Sequence, residues 1–244
     1  MPRLILVLGM HRSGTSAVTG LLEEQGIEVR TTRGRELNAF NPRGNRENRE
    51  LRFLHDEILQ RAGGSWYAPP AEVGIEAGDR ERRDAQLAEY EGETRAVKDP
   101  RLLLVMDLWR ELDPARLGVI RNPVAVRGSL ERRSLRKRPN QKRARQHQNP
   151  VLEPVRWEEL WCVYNRALLA EHEREPFPIV DFDRAEELDV QVRDALTALG
   201  LESTGTSDFY DPELATAVDP RWREKALLPE SVELWDRLSE RALR

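Results

Sequence analysis

The sequence predicts an α/β protein of three layers, a central parallel sheet flanked by helices. Three observations predict it. Short apolar runs alternate with stretches of helical periodicity over the first 200 residues. Three of those runs end in clusters of charged and hydroxyl residues, at 12–16, 98–101 and 121–129. The hydrophobic fraction, 39% of 244 residues, is enough to fill the core of a single domain spanning 1–244.

The first strand is Leu4-Ile5-Leu6-Val7-Leu8, too short for a signal peptide. It runs into Gly9-Met10-His11-Arg12-Ser13-Gly14-Thr15-Ser16, and a helix follows with Ala17, Val18, Leu21 and Leu22 on its apolar face. Strand, glycine-rich turn and helix together build an anion site. Amides at the helix start point outward, and the helix dipole adds positive charge. Ser13, Thr15 and Ser16 add side-chain donors and Arg12 adds a guanidinium fork. Gly9 and Gly14 have the spacing of the nucleoside-triphosphate P-loop, but Thr15 stands where its lysine belongs. That lysine reaches the β/γ-phosphates, so an ATPase, a GTPase or an ATP-dependent kinase-like phosphotransferase is the less favoured reading.

Gly26 is a stop for the first helix, and residues 30–46 have loop chemistry. A helix is predicted from near Glu47, through Leu51, Leu54, Ile58 and Leu59, to Gly63-Gly64. Residues 65–80 read as loop and 80–92 as an exposed helix. Ala96-Val97 is a short strand ending at Lys98-Asp99-Pro100-Arg101, and 102–112 read as a helix. Leu117-Gly118-Val119-Ile120 is a buried strand ending at Arg121-Asn122-Pro123, and a helix continues through Val126 and Leu130. Residues 131–149 have no apolar period and read as a basic loop or lid. Then come an amphipathic helix over 157–172, a strand at 178–182, and a helix over 190–199 closed by Gly200. The tail, 203–244, carries one further helix, with Val232, Trp235 and Leu238. In parallel sheets ligands sit beyond the carboxyl ends of the strands, where all three polar clusters fall.

The net charge of −4 makes no whole-molecule case for nucleic acid. Between positions 121 and 145 the balance reverses: ten Arg or Lys residues face only Glu131. Cys162 is the sole cysteine, so no internal disulfide forms and a cysteine metal site is implausible. No run approaches the length of a membrane span, and the expectation is a soluble, cytoplasmic protein without a metal cofactor.

Taken together, the three clusters resemble the sulfotransferase family, whose donor is 3′-phosphoadenosine-5′-phosphosulfate. The segment from Gly9 to Ser16 resembles the family's 5′-phosphosulfate loop, with Arg12 in the place of its Lys or Arg. Arg121-Asn122-Pro123 with Ser129 resembles the 3′-phosphate site, in which an arginine and a serine eight residues on share one phosphate. Val97-Lys98-Asp99-Pro100 is similar to the lysine-bearing strand end of tyrosylprotein sulfotransferases, and Val180-Asp181-Phe182-Asp183-Arg184 to a structural strand of bacterial members.

The resemblance spans residues 4–200 and implies a P-loop-like fold of the nucleoside-triphosphate-hydrolase kind. It implies that Arg12, Ser13, Gly14, Thr15, Ser16, Arg121 and Ser129 bind the donor, and that Arg12 and Lys98 act on the transferring group. Cytosolic members take their base from a histidine two places after the lysine, where this chain has Pro100. Glycan- and tyrosine-directed members use a glutamate on the helix after the first loop, which makes Glu47 the candidate base, with Glu50 and His55 as alternatives. The family's C-terminal Arg-Lys-Gly motif is missing, and Arg221 or Arg223 are the cations left to stand in for it. The acceptor class, a small molecule or a glycan, stays open. His11 is expected to shape the loop and Asp99 to fix the turn before Pro100. Arg101 is either an anion contact or a partner of Asp99. Trp66 and Trp157 either line a pocket or pack in the core. A non-catalytic nucleotide-binding protein is the remaining alternative.

Overall fold

The computed structural model describes residues 3–30, 45–135, 152–203, 205, 207, 209–211 and 219–243. Five strands form one sheet: β1 (Arg3–Leu8), β2 (Glu28–Val29), β3 (Thr94–Lys98), β4 (Ala115–Ile120) and β5 (Ile179–Asp181). Their order is β2-β3-β1-β4-β5 and every pairing is parallel. Side chains alternate across a strand, so β1 feeds two cores at once. Leu4, Leu6 and Leu8 enter one cluster, Ile5 and Val7 the other. Burial on both faces explains why β1 reads as an unbroken apolar run.

Helices α1 (Thr15–Glu24) and α6 (Leu188–Ala198) cover one face, through Val18, Leu21, Leu22, Val192 and Leu196. The other face carries α2 (Arg49–Arg61), α3 (Ala77–Leu87), α4 (Pro123–Leu135), α5 (Pro154–Arg174) and α8 (Pro229–Ser239), with the short α7 (Trp222–Lys225) before α8. The fold is therefore α/β with an all-parallel central sheet flanked by helices. The tail is tied down by Glu158, buried on α5, whose carboxylate accepts from Ser231 Oγ and from the amides of Leu227 and Leu228.

Several elements differ from the sequence expectation, each for a local reason. Residues 102–112 are not one helix. They form three 3-10 turns, Pro100–Leu104, Met106–Leu108 and Arg110–Leu112. The buried residues Leu102, Val105 and Leu108, and Leu103, Met106 and Trp109, recur every third position, the 3-10 period rather than 3.6. Helix α2 starts at Arg49, because Asn48 Oδ1 caps it by accepting from the amides of Glu50 (3.0 Å) and Leu51 (3.2 Å). Glu47 thus stands before the helix. Helix α3 starts earlier than expected, at Ala77, held by a reciprocal cap between Glu76 and Asp79. Strand β2 was not anticipated, because two half-buried residues make no periodic signal. The predicted basic lid begins inside α4, which runs to Leu135; residues 136–149 lie outside the described residues.

From β1 the chain crosses to the β2–β3 side, and β4 then returns to the other side of β1. This reversal opens a crevice between the carboxyl ends of β1 and β4. The opposite edge of the sheet holds an open cleft of about 760 Å³, lined in part by Arg3, Arg95 and Arg116. Those arginines serve helix ends: Arg95 donates to Leu87 O at 2.8 Å, Arg3 to Gly200 O at 3.5 Å, and Arg116 pairs with Glu175. The three polar clusters read from the sequence lie at the carboxyl edge instead.

Candidate functional site

The loop after β1 is shaped by backbone constraints. Arg12 (φ 69°) and Gly14 (φ 88°) both adopt the left-handed conformation. At Gly14 a side chain is excluded twice over, since a Cβ there would lie 2.1 Å from the Phe182 ring. Arg12 has no such licence, and a left-handed non-glycine residue costs on the order of 1–3 kcal/mol. Between these two residues the Ser13 amide donates to the Met10 carbonyl at 3.2 Å and closes the turn. Gly14 is the N-cap of α1 and has no side chain with which to cap it. The Ser13 hydroxyl is buried with no hydrogen-bond partner among the described residues. Such a group costs about 1–3 kcal/mol, a cost an anion would remove.

The second cluster meets the first. Arg12 Nε donates to Ser129 Oγ at 3.0 Å, and Arg121 Nη1 donates to the carbonyl of Arg12 at 3.1 Å. Arg121 lies 3.5 Å from Asp183, and its guanidinium sits 5.1 Å from the centre of the Phe182 ring. Asn122 caps α4 by accepting from the amides of Val124 and Ala125, and its buried Nδ2 has no partner among the described residues. Burial, then repulsion from Arg133, Arg121 and Arg132, brings the Arg12 guanidinium down to about 10. Burial also lowers Arg121, against the pull of Asp183. Arg12 and Arg121 thus meet at one strand-end crevice, with Arg132 and Arg133 of α4 near enough to repel Arg12.

The third cluster supplies Lys98, the last residue of β3. Its Nζ donates to Glu47 Oε1 (2.8 Å), to Asn45 O (3.0 Å) and to Ser16 Oγ (3.1 Å). An ammonium has three N–H donors, and all three are engaged. Glu47 therefore neutralises Lys98 directly, with Arg52 at 3.9 Å from its other oxygen. The expected base and the expected lysine are in contact across 51 positions of sequence.

Behind β3 a different network forms. His55 Nδ1 lies 2.8 Å from Asp99 Oδ2, and Trp109 Nε1 donates to His55 Nε2 at 3.2 Å. Asp99 also accepts from the Arg101 amide (3.1 Å) and from its guanidinium (2.9 Å), while Arg101 reaches Asp56. Burial would raise the Asp99 carboxyl, but Arg101 and His55 outweigh it and hold it well below the ordinary range. Of the two roles considered for Arg101, the geometry is that of a partner to Asp99. His55 has both ring nitrogens occupied and is wholly buried, so the arrangement is that of a structural histidine. Glu50 is an exposed first-turn residue of α2.

His11 is buried beside Trp66, ring centres 4.3 Å apart, and Tyr164 stands edge-on at 6.0 Å. Trp157 is a core residue and Trp66 is only half-buried. Arg223 is exposed and paired with Asp236. Cys162 packs in α5, where burial pushes its thiol up to about 12. The sequence assigned Phe182 and Asp183 only to a structural strand and gave Asn122 no role of its own, whereas Asp183 and Phe182 flank Arg121 and Asn122 caps α4. Residues 181–184 follow a fourth strand end, and the strand-end rule applied there would have drawn attention to them.

Among the described residues no cluster of His, Cys, Asp or Glu is placed to hold a metal ion, and no helix is long and apolar enough to cross a membrane. No protein-family model matches the chain. No curated protein gives a significant match to it either.

Proposed function

We propose that this protein is a sulfotransferase that moves a sulfuryl group from 3′-phosphoadenosine-5′-phosphosulfate to a hydroxyl or amine acceptor, on a P-loop-like fold. One observation carries the reading. Two arginine-and-serine clusters, 117 positions apart, meet through the bond from Arg12 to Ser129, beside the glycine-capped start of α1 and the buried Ser13 hydroxyl. Crowded guanidinium groups and orphaned donors in one crevice fit a ligand with anionic groups at both ends.

In this reading the loop amides, Ser13, Thr15 and Ser16 hold the 5′-phosphosulfate, and Arg121 with Ser129 holds the 3′-phosphate. Arg12 and Lys98 meet the charge that grows on the leaving oxygens, as phosphoryl transfer also demands. Neither has to change protonation state. Lys98 has no spare donor, so engaging the sulfuryl group exchanges one of its present bonds. Ser16 and Glu47 are the side chains it would release.

Calorimetry tests the proposal. The product 3′-phosphoadenosine-5′-phosphate should bind about tenfold or more tightly than ADP, a difference of ~1.4 kcal/mol. Arg121→Ala should erase that preference, and sulfate transfer should proceed without added metal. Equal affinity for the two nucleotides overturns the assignment of Arg121 and Ser129.

A further inference from the structure

We infer that His11 is the residue that takes the proton from the acceptor hydroxyl, and that Glu47 is a positioning residue for Lys98. This rests on the sulfotransferase reading and deepens its acceptor side. The comparison that carries it lies among the histidines. His55 has both ring nitrogens bonded, and His172 Nδ1 accepts from the Phe177 amide at 3.3 Å. His11 is 9% exposed, yet its ring has no hydrogen bond to any described residue, and its Nε2 is fully shielded. A histidine that only shaped the loop would spend those nitrogens on the backbone, as His172 does. Leaving one buried and unbonded costs about 1–3 kcal/mol.

The surroundings suit a proton acceptor. Trp66, a half-buried residue of the loop between α2 and α3, packs against the ring at a 45° tilt. Trp66 and the buried Tyr164 give the ring an aromatic surrounding, and the half-buried Trp66 is the one of the two with surface left for an apolar acceptor body. The charged groups facing His11 are Lys98 at the end of β3, Asp99 and Arg101 just beyond it, and Arg133 on α4. Burial first, then Arg101, keep the ring neutral, and Asp99 opposes them only in part. With the ring proton on Nδ1, the Nε2 lone pair is free. Glu47 is less free: a proton arriving on it would break its 2.8 Å pair with Lys98.

The step balances as follows. The acceptor O–H bond breaks and its proton goes to His11 Nε2. The acceptor oxygen bonds to sulfur as the bridging O–S bond of the phosphosulfate breaks, and that bond's electron pair stays on the 5′-phosphate. The imidazolium, set among cations, then gives its proton to water.

The test uses the full chain, phenols of graded acidity as acceptors, and calorimetry with 3′-phosphoadenosine-5′-phosphate. His11→Gln should lower kcat/KM about 10²-fold with a weakly acidic phenol. The loss should be far smaller with a nitrophenol, which needs little help to lose its proton. Nucleotide affinity should stay within about twofold. Glu47→Gln should lower all the phenols by one common factor. An equal loss with every phenol in His11→Gln, no loss at all, or a graded loss in Glu47→Gln instead, overturns the inference. If the nucleotide fails to bind the native chain, the sulfotransferase reading itself falls. Should no phenol serve, ¹⁵N shifts of the His11 ring in the nucleotide complex decide: a neutral Nδ1–H ring supports the role, and a protonated or Nε2–H ring overturns it.

Discussion

Two regions at the carboxyl edge of the sheet use the same residue types to opposite ends. Behind β3, His55, Asp99, Arg101, Asp56 and Trp109 bond to one another in a closed network. In the loop after β1, the His11 ring and the Ser13 hydroxyl are also buried and bond to nothing among the described residues. Burial by itself therefore does not separate structure from function here. What separates them is whether the hydrogen-bonding capacity is spent internally. A satisfied buried network holds one conformation, and an unsatisfied one is stable only because its surroundings impose it.

The most severe way to break this comparison is to open the closed network. Asp99→Ala leaves Arg101 buried beside a lost partner and should cost about 3–5 kcal/mol, read by urea unfolding at neutral pH. The sign with pH follows from the depressed carboxyl. Its stabilisation is present above the unfolded value of 3.8 and is lost as pH falls through the lower folded value. The variant should accordingly show a flatter acid limb than the native chain.

In the open region the damage should fall on function. Arg12→Ala should reduce sulfate transfer by about 10²–10³-fold, the loss of one charge-stabilising donor, in a steady-state assay. Its melting temperature should change much less than that of Asp99→Ala. A large drop in stability would place Arg12 with the structural network instead.

Asp181, at the end of β5, sharpens the contrast through titration. Burial raises its carboxyl to about 6 from 3.8, so the folded state holds its proton more tightly than the unfolded one. Its contribution is then fully present below 3.8 and declines as pH rises toward 6, by up to about 3 kcal/mol. Asp181→Asn should remove that decline, seen as a smaller stability difference between pH 4 and pH 7 than the native chain shows.

The smallest change is the most discriminating. Ser13→Ala deletes an unbonded hydroxyl, so stability should hold or rise by about 1 kcal/mol, while affinity for 3′-phosphoadenosine-5′-phosphate falls. A loss of stability would mean that the hydroxyl already has a partner.

Much of this was legible in the chain itself. Alternating apolar runs predicted β1, β3, β4 and β5, and the polar clusters at three strand ends predicted that their residues gather at one edge of the sheet. The triplet spacing from Leu102 to Trp109 is also present in the sequence, but over so short a segment it does not separate a 3-10 from an α-helical period. Pairings were not legible. That Glu47 touches Lys98, that Arg12 touches Ser129, and that Asp183 faces Arg121 are contacts between residues brought together by strand order. The sequence by itself determined which segments are strands and which residues leave their ends, because periodicity and turn chemistry act over a few positions. Only the tertiary structure decided which of two buried histidines is satisfied and which is not. Hydrogen-bond satisfaction depends on atoms a few ångströms away in space, and here those atoms come from segments far apart along the chain.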